Sequence, residues 1–241
     1  MSQSFLPLLA VEPENVADKV LVCGDPDRAL KIADRLDRSE EINYNREYRF
    51  INGSLKGEDI TVVSHGVGAA GAAVCFKEIV RGGAEEIIRV GTAGSLAPDK
   101  LKDGDIVIAS AAVRKEGVTH QLVEAEFPAA ADVELTRRLQ QTAEEMALNH
   151  CTGIVLTSDV FYPEMEETPE NYFSQAGALA VEMEASALFV IASLNGVKAG
   201  ALMAIDGVAV DRAAEDYNPH REEVDRAVEK EIDLALKALL K

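Results

Sequence analysis

Tryptophan is absent from these 241 residues, aromatics of all kinds make up only 5%, and there are three cysteines and four histidines. Cys23, Cys75 and Cys151 are far apart, odd in number and set in apolar surroundings. That excludes a disulfide framework and points to buried, reduced thiols in a cytoplasmic protein. Neither CxxC nor HExxH occurs, and His65, His120, His150 and His220 are scattered, so the sequence gives no support for a metal site. Cations are scarce as well: 24 Lys and Arg face 42 Asp and Glu, a formal charge of −18. Such a chain repels the backbone of nucleic acids and anionic membrane surfaces, which excludes both as partners. No apolar run approaches a membrane span, and the opening MSQSFLPLLAVEPEN lacks the basic region and long apolar run of a secretory signal.

What is present is a hydrophobic share of 47%, enough for a sizeable core. Strand-like and helix-like segments alternate along the whole chain. KVLVC reads as a buried strand and DRALKIADRL as an amphipathic helix. REYRFINGSL and DITVVSHG, split by KGE, read as a hairpin, and GAAVCFKEIVRGG as a helix with a Gly stop. EEIIRVG is a strand ending in the small-residue turn GTAGS, and DGDIVIASAAV a further strand. DVELTRRLQQTAEEMAL is a helix, CTGIVLTS a strand and PENYFSQAG a short helix. ALAVEME is a strand running into the helix ASALFVIASLNG; KAGALMAID is the last strand and REEVDRAVEKEIDLALKALLK a closing helix. The pattern predicts an α/β fold, a three-layer sandwich with a mixed central β-sheet flanked by helices. No linker, repeat or low-complexity stretch divides it, so residues 1–241 are expected to form a single domain. GVAVDRAAEDYNPH, long and aperiodic, is expected to be a lid or binding loop.

In open α/β sheets ligands bind beyond the carboxyl ends of the strands, so those ends are where chemistry is sought. GDPDR follows KVLVC and has two readings. Gly, Asp and Pro are turn formers and Arg28 a solvated charge, or the turn amides and Arg28 together hold an anion. Arg89 lies in an apolar strand, where it either pairs with a core Glu or forms a second anion fork with Thr92 and amides of the Gly-rich turn. Neither segment is a Walker A loop or GxGxxG, which disfavours nucleotide di- and triphosphates. In VEMEAS, regular strand alternation places Glu182 and Glu184 on one face and Met183 on the other. The two acids either cap the next helix or accept the hydroxyls of a vicinal diol. Asp206 ends the apolar LMAID; it is a turn or cap residue, or a desolvated general acid.

GDPDR, SHGVG, IIRVGTAGSL, TSDVFY and VEMEASALF stand in the order and spacing of the hexameric-type nucleoside phosphorylases, which include purine nucleoside, uridine and methylthioadenosine phosphorylases. The chain resembles that family from about residue 7 to its C-terminus. The resemblance implies a phosphate site of Gly24, Arg28, Arg89 and Thr92, with Arg46 reaching the site of a neighbouring subunit. It implies ribose contacts from Glu182, Met183, Glu184 and Val67, and Phe161 against the base. Asp206 becomes the acid that protonates a departing purine, and Arg212 and Arg221 are candidates to assist it at the base.

The implied reaction is phosphorolysis of an N-glycosidic bond, giving free base and ribose 1-phosphate in nucleoside salvage, with phosphate as co-substrate and neither cofactor nor metal. The implied assembly is a homohexamer, a trimer of dimers. FYPEMEET lacks the Gln and Arg with which uridine enzymes read uracil, and Asp206 fits a purine enzyme, so purines are the expected substrates. Many members carry a His for the ribose 5′-OH where this chain has Leu8, which opens a 5′-deoxy or 5′-thio substrate. The alternatives are a uridine or methylthioadenosine phosphorylase, a nucleosidase that uses water, and a non-catalytic nucleoside-binding protein.

Overall fold

A computed structural model describes residues 5–162, 169–210 and 221–241. The first strand, β1 (Lys19–Cys23), is buried along almost its whole length because it lies between two parallel neighbours, β4 (Glu58–Ser64) and β5 (Glu86–Ser95). A strand covered on both faces needs an unbroken apolar run, and VLVC supplies it. The helix α1 (Pro26–Ala33) starts directly behind it, with Asp25 as N-cap accepting from Asp27 N–H at 2.9 Å and Pro26 in the first turn. The predicted hairpin forms from β3 (Tyr48–Leu55) and β4, closed by Lys56 and Gly57 at φ 53° and 88°, a turn in which glycine relieves the left-handed strain.

Beyond β3 lies an edge strand that the sequence reading did not foresee, β2 (Arg38–Asn45). RSEEINYN is exposed over most of its length and has no apolar alternation, and its existence rests on pairing with β3. The helix α2 (Ala69–Gly82) ends at Gly83 in the left-handed region, as its Gly stop predicts.

The second half adds β6 (Ile106–Lys115), a short α3 (Thr119–Leu122), β7 (Ala129–Ala130), α4 (Val133–Glu145), β8 (His150–Ser158) and α5 (Glu170–Gln175). It ends with β9 (Ala180–Glu182), α6 (Ala185–Asn195), β10 (Lys198–Val208) and α7 (Glu222–Leu239). The sheet runs β10-β6-β8-β9-β5-β1-β4-β3-β2, mixed in direction as expected. Because β10 also pairs with β5, the β10, β6, β8, β9 and β5 end closes on itself.

One expectation needs correcting here. GTAGS is not a turn: β5 continues through it to Ser95, pairing with β10 and then with β9. Its small residues serve close approach, since a Cβ on Gly94 would come within 2.8 Å of the Ala209 methyl. Two apolar clusters, one centred on α2 and α6 and the other on α1, α4 and α7, cover the two sides of the sheet.

Candidate active site

A cavity of about 590 Å³ opens at the carboxyl ends of β1, β5 and β10. Gly24, Arg28, Arg89, Gly91 and Thr92 line it together with Glu182, Met183, Glu184 and Asp206, and Val67 and Phe161 belong to its rim and wall. The fold thus gathers most of the residues singled out at strand ends.

GDPDR is a turn and part of this wall at once. Asp25 and Pro26 start the helix, while Arg28 in its first turn carries a side chain only 12% exposed, 3.6 Å from Glu231. Glu231 is fully buried on α7 and accepts the Ala204 N–H at 2.8 Å. Burial pushes its carboxyl up to about 8, against the opposing pull of Arg28 and the Ala204 amide. A neutral Glu231 leaves the charge of Arg28 uncancelled.

Arg89 is buried in β5, and its Nη2 donates to Glu184 and lies 3.4 Å from Glu182. Its Nε and Nη1 are buried without a hydrogen-bond partner. The guanidinium folds back over Gly91, where a Cβ would stand 2.6 Å from Nη1, so glycine there is a requirement of the arginine's position. Half of the fork is thus the structural ion pair of the first reading, and the other half has no partner within the protein.

Strand alternation does not set the Glu182 and Glu184 pair, because β9 ends at Glu182, yet both carboxyls face Arg89 Nη2 and line the cavity. Glu182 accepts from Glu184 N–H and Ala185 N–H, each at 2.8 Å, and from the Thr157 hydroxyl at 2.5 Å. It is the cap of α6, and burial raises its carboxyl. Glu184, at the helix start, accepts from Gly68 N–H at 2.5 Å and from Arg89. Burial alone would raise its carboxyl, but Arg89 and the Gly68 amide outweigh that and hold it below the ordinary range. Both carboxyls line the cavity, and Glu184 is the one that Arg89 pulls down.

His65, behind the site, donates from Nδ1 to Gly66 O at 2.9 Å, and burial lowers its imidazole to about 4. It is a neutral packing element against Phe76.

Asp206 sits at a bulge where the register between β10 and β5 shifts from Ile205 to Gly207. A bulge re-aims a side chain, and here it presents a buried carboxyl to the cavity. Arg221 does not line the cavity, contrary to its expected place at the base; its guanidinium pairs with Asp103 and donates to the Asp206 carbonyl at 2.8 Å. It braces the bulge from behind. Arg212 and most of GVAVDRAAEDYNPH lie outside the described residues, as does most of FYPEMEET. Arg46 is at the exposed tip of the β2–β3 hairpin, at φ 57°, away from this chain's own cavity.

Val67 is 79% exposed and Phe161 50% exposed, its ring edge-to-face with Tyr162 at 4.8 Å. Two residues of the site were not singled out in the sequence reading: Glu231, which stands behind the wall against Arg28, and Glu170, the first residue of α5, which lines the cavity. Glu231 was detectable as a charge on the apolar stripe of α7, between Val228 and Ala235. Glu170 stands in a polar run with no pattern to mark it.

Two arginines, the Glu182 and Glu184 pair and a bulge-mounted Asp206 thus line one cleft at the strand ends. Residues 18–241 match the model of the phosphorylase superfamily, and the chain belongs to that family. It is 42% identical over 206 residues to a purine nucleoside phosphorylase of Plasmodium falciparum, covering 85% of this chain and 84% of that one. It is 37% identical over 209 residues to a uridine phosphorylase of Thermococcus kodakarensis, covering 82% and 75%. Among solved structures, purine nucleoside phosphorylase from Toxoplasma gondii in complex with immucillin-H superposes with a TM-score of 0.94 at 30% identity, covering 99% of this chain and 96% of that one.

Proposed function

We propose that this protein is a nucleoside phosphorylase that cleaves the N-glycosidic bond of purine ribonucleosides, with inorganic phosphate as co-substrate and no cofactor. The observation that carries the reading is Arg89. Its Nε and Nη1 are buried and unpartnered beside the charged Glu184, in a cavity that Arg28 also lines. Orphaned guanidinium donors in a buried position call for an anion.

In the proposed reaction phosphate lies against Arg28, Arg89, Thr92 and the Gly24 turn, and Glu184 and Met183 hold the ribose, with Val67 at the sugar rim. A phosphate oxygen attacks the anomeric carbon as its bond to the base breaks. The electron pair of that bond goes to the base, and protonated Asp206 gives its proton to the purine ring, so base and ribose 1-phosphate leave together. The arginines hold the dianion next to a sugar that becomes cationic, an arrangement worth more at the transition state than in the ground state. Glu182 acts through the helix start that it caps, and Arg221 through the carbonyl of Asp206. Phe161 packs on the base.

A water-using nucleosidase has no use for two buried arginines at this place, and a mere binder has none for Asp206 on a bulge. Arg46 at the hairpin tip supports a homo-oligomer, a hexamer by family analogy, in which it completes the neighbour's phosphate site. Leu8 carries no polar side chain for a 5′-hydroxyl, which supports tolerance of 5′-deoxy or 5′-thio nucleosides. No helix among the described residues is long and apolar enough to cross a membrane, and we place the enzyme in the cytoplasm.

The test is base release from inosine, adenosine, methylthioadenosine and uridine, each with and without phosphate. Phosphate-dependent release from the purine substrates is expected. Release from uridine alone would overturn the purine assignment, and release without phosphate would overturn phosphorolysis.

A further inference from the structure

Glu170 is 8% exposed, lines the cavity, and its Oε2 is buried with no hydrogen-bond partner. It takes part in no ion pair among the described residues. A buried acceptor left unmatched costs stability, and such costs persist where a ligand supplies the missing donor.

The helix that carries it is held in place. On the same short helix the Ser174 hydroxyl donates to Leu96 O at 2.6 Å, and Phe173 packs with the Leu96, Leu156 and Ala178 cluster beside Val181 and Ala209. Val181 and Ala209 themselves line the cavity, as do Phe161 and Tyr162. This apolar and aromatic part of the wall differs in character from the Arg28 and Arg89 part, and Glu170 belongs to it.

We propose that Glu170 selects 6-oxopurines by accepting a hydrogen bond from the ring N1–H, and from the 2-amino group where the base is guanine. The inference rests on the phosphorolysis reading above and deepens it by naming the base class. Hypoxanthine presents one donor, N1–H; guanine presents two side by side, matching the two oxygens of a carboxylate. Adenine presents a lone pair at N1, which faces the carboxylate unfavourably. A site built to receive a donor rejects the analogue that lacks it far more strongly than an apolar pocket rejects a change of size.

The experiment measures kcat/KM with saturating phosphate for guanosine, inosine and adenosine, on the wild type and on Glu170→Met and Glu170→Gln. Calorimetric binding of free guanine and adenine to the same three proteins runs alongside. The wild type is expected to prefer guanosine and inosine. Glu170→Met should lose about 10- to 100-fold on guanosine and change adenosine by less than about threefold, the range for a hydrogen bond to a charged acceptor. Glu170→Gln, whose amide can both accept from N1–H and donate to a bare N1, should narrow the guanosine to adenosine ratio by raising adenosine. Glu170→Met should melt no lower than the wild type, because an unmatched buried acceptor has gone.

A ratio unchanged in both variants, or equal losses on guanosine and adenosine, overturns the proposal while leaving phosphorolysis intact. Should the wild type release no base with phosphate, phosphorolysis fails instead, and the free-base titrations still decide. A guanine affinity that falls in Glu170→Met while adenine holds supports Glu170, and one that stays unchanged overturns it.

Discussion

At one end of the cavity Arg89 is 4% exposed, Glu184 is likewise buried, and each has its partner inside the sheet before any ligand arrives. At the other end Phe161 is 50% exposed, Tyr162 is 65% exposed, and the one buried acid of α5 has an unmatched oxygen. The proposed anion end is anchored on strands β1 and β5 and on the helix starts behind them, with Arg89 paired to Glu184 at the start of α6 and Arg28 beside Glu231 of α7. The proposed base end is mounted on the β8 exit and a six-residue helix. The contrast teaches where rigidity is needed. A phosphate dianion must be met by charges that are already desolvated and oriented, because reorienting them during reaction would cost what they are meant to supply. A base is recognised by a flat face and one polar edge, and one end of the site can vary without disturbing the other.

The largest expected effect tests whether the acid at the junction of the two ends belongs to catalysis. Asp206→Asn keeps the size of the side chain and removes the proton donor. Turnover of inosine should fall by about 10² to 10⁴, the range of a lost general acid. A 7-methylated purine nucleoside, whose base departs without needing a proton, should lose far less. Equal losses on the two substrates would assign Asp206 to the architecture of the bulge.

Next comes the anion end. Arg89→Lys preserves the charge that Glu184 and Glu182 need but replaces the fork by a single point. The KM for phosphate should rise about 10- to 100-fold, the cost of hydrogen bonds to an ionised ligand, while nucleoside affinity measured by titration shifts only a few-fold. If both change together, the two ends are not separable and the comparison above breaks.

The same contrast governs what could be read from the sequence. Arg28, Arg89, Glu184 and Asp206 stood out because charge at the end of an apolar strand is costly, and evolution keeps it only for a reason such as a ligand. The alternation of strands and helices was legible because buried parallel strands are continuous apolar runs. β2 was not, because its exposed residues carry no period and its partner strand supplies the reason for its form. GTAGS was misread as a turn because small residues mark both turns and close strand contacts, and only the position of Ala209 distinguishes them. The split of Glu182 from Glu184 depends on where β9 stops, a boundary that alternation cannot locate. Glu170 depends on how α5 packs, which no local pattern records.

The smallest effect sharpens the picture of the anion end, through Glu231. Its carboxyl keeps a proton up to about 8 in the folded protein against an ordinary 4.5. Its neutral form therefore contributes stability that is fully present below pH 4.5 and lost as pH rises through 8. Glu231→Gln keeps an acceptor for the Ala204 amide and removes the titration, so the variant should gain on the wild type in melting temperature across that window. The same titration reaches phosphate through Arg28, 3.6 Å away. Above pH 8 an ionised Glu231 competes for the guanidinium, and the wild-type KM for phosphate should climb about three- to tenfold relative to the variant, on the order of 1 kcal/mol. Taking the ratio of the two proteins at each pH cancels the ionisation of phosphate itself. A flat ratio between pH 7 and 9 would mean that Arg28 answers to its ligand alone, and that the anion end is rigid in charge as well as in place.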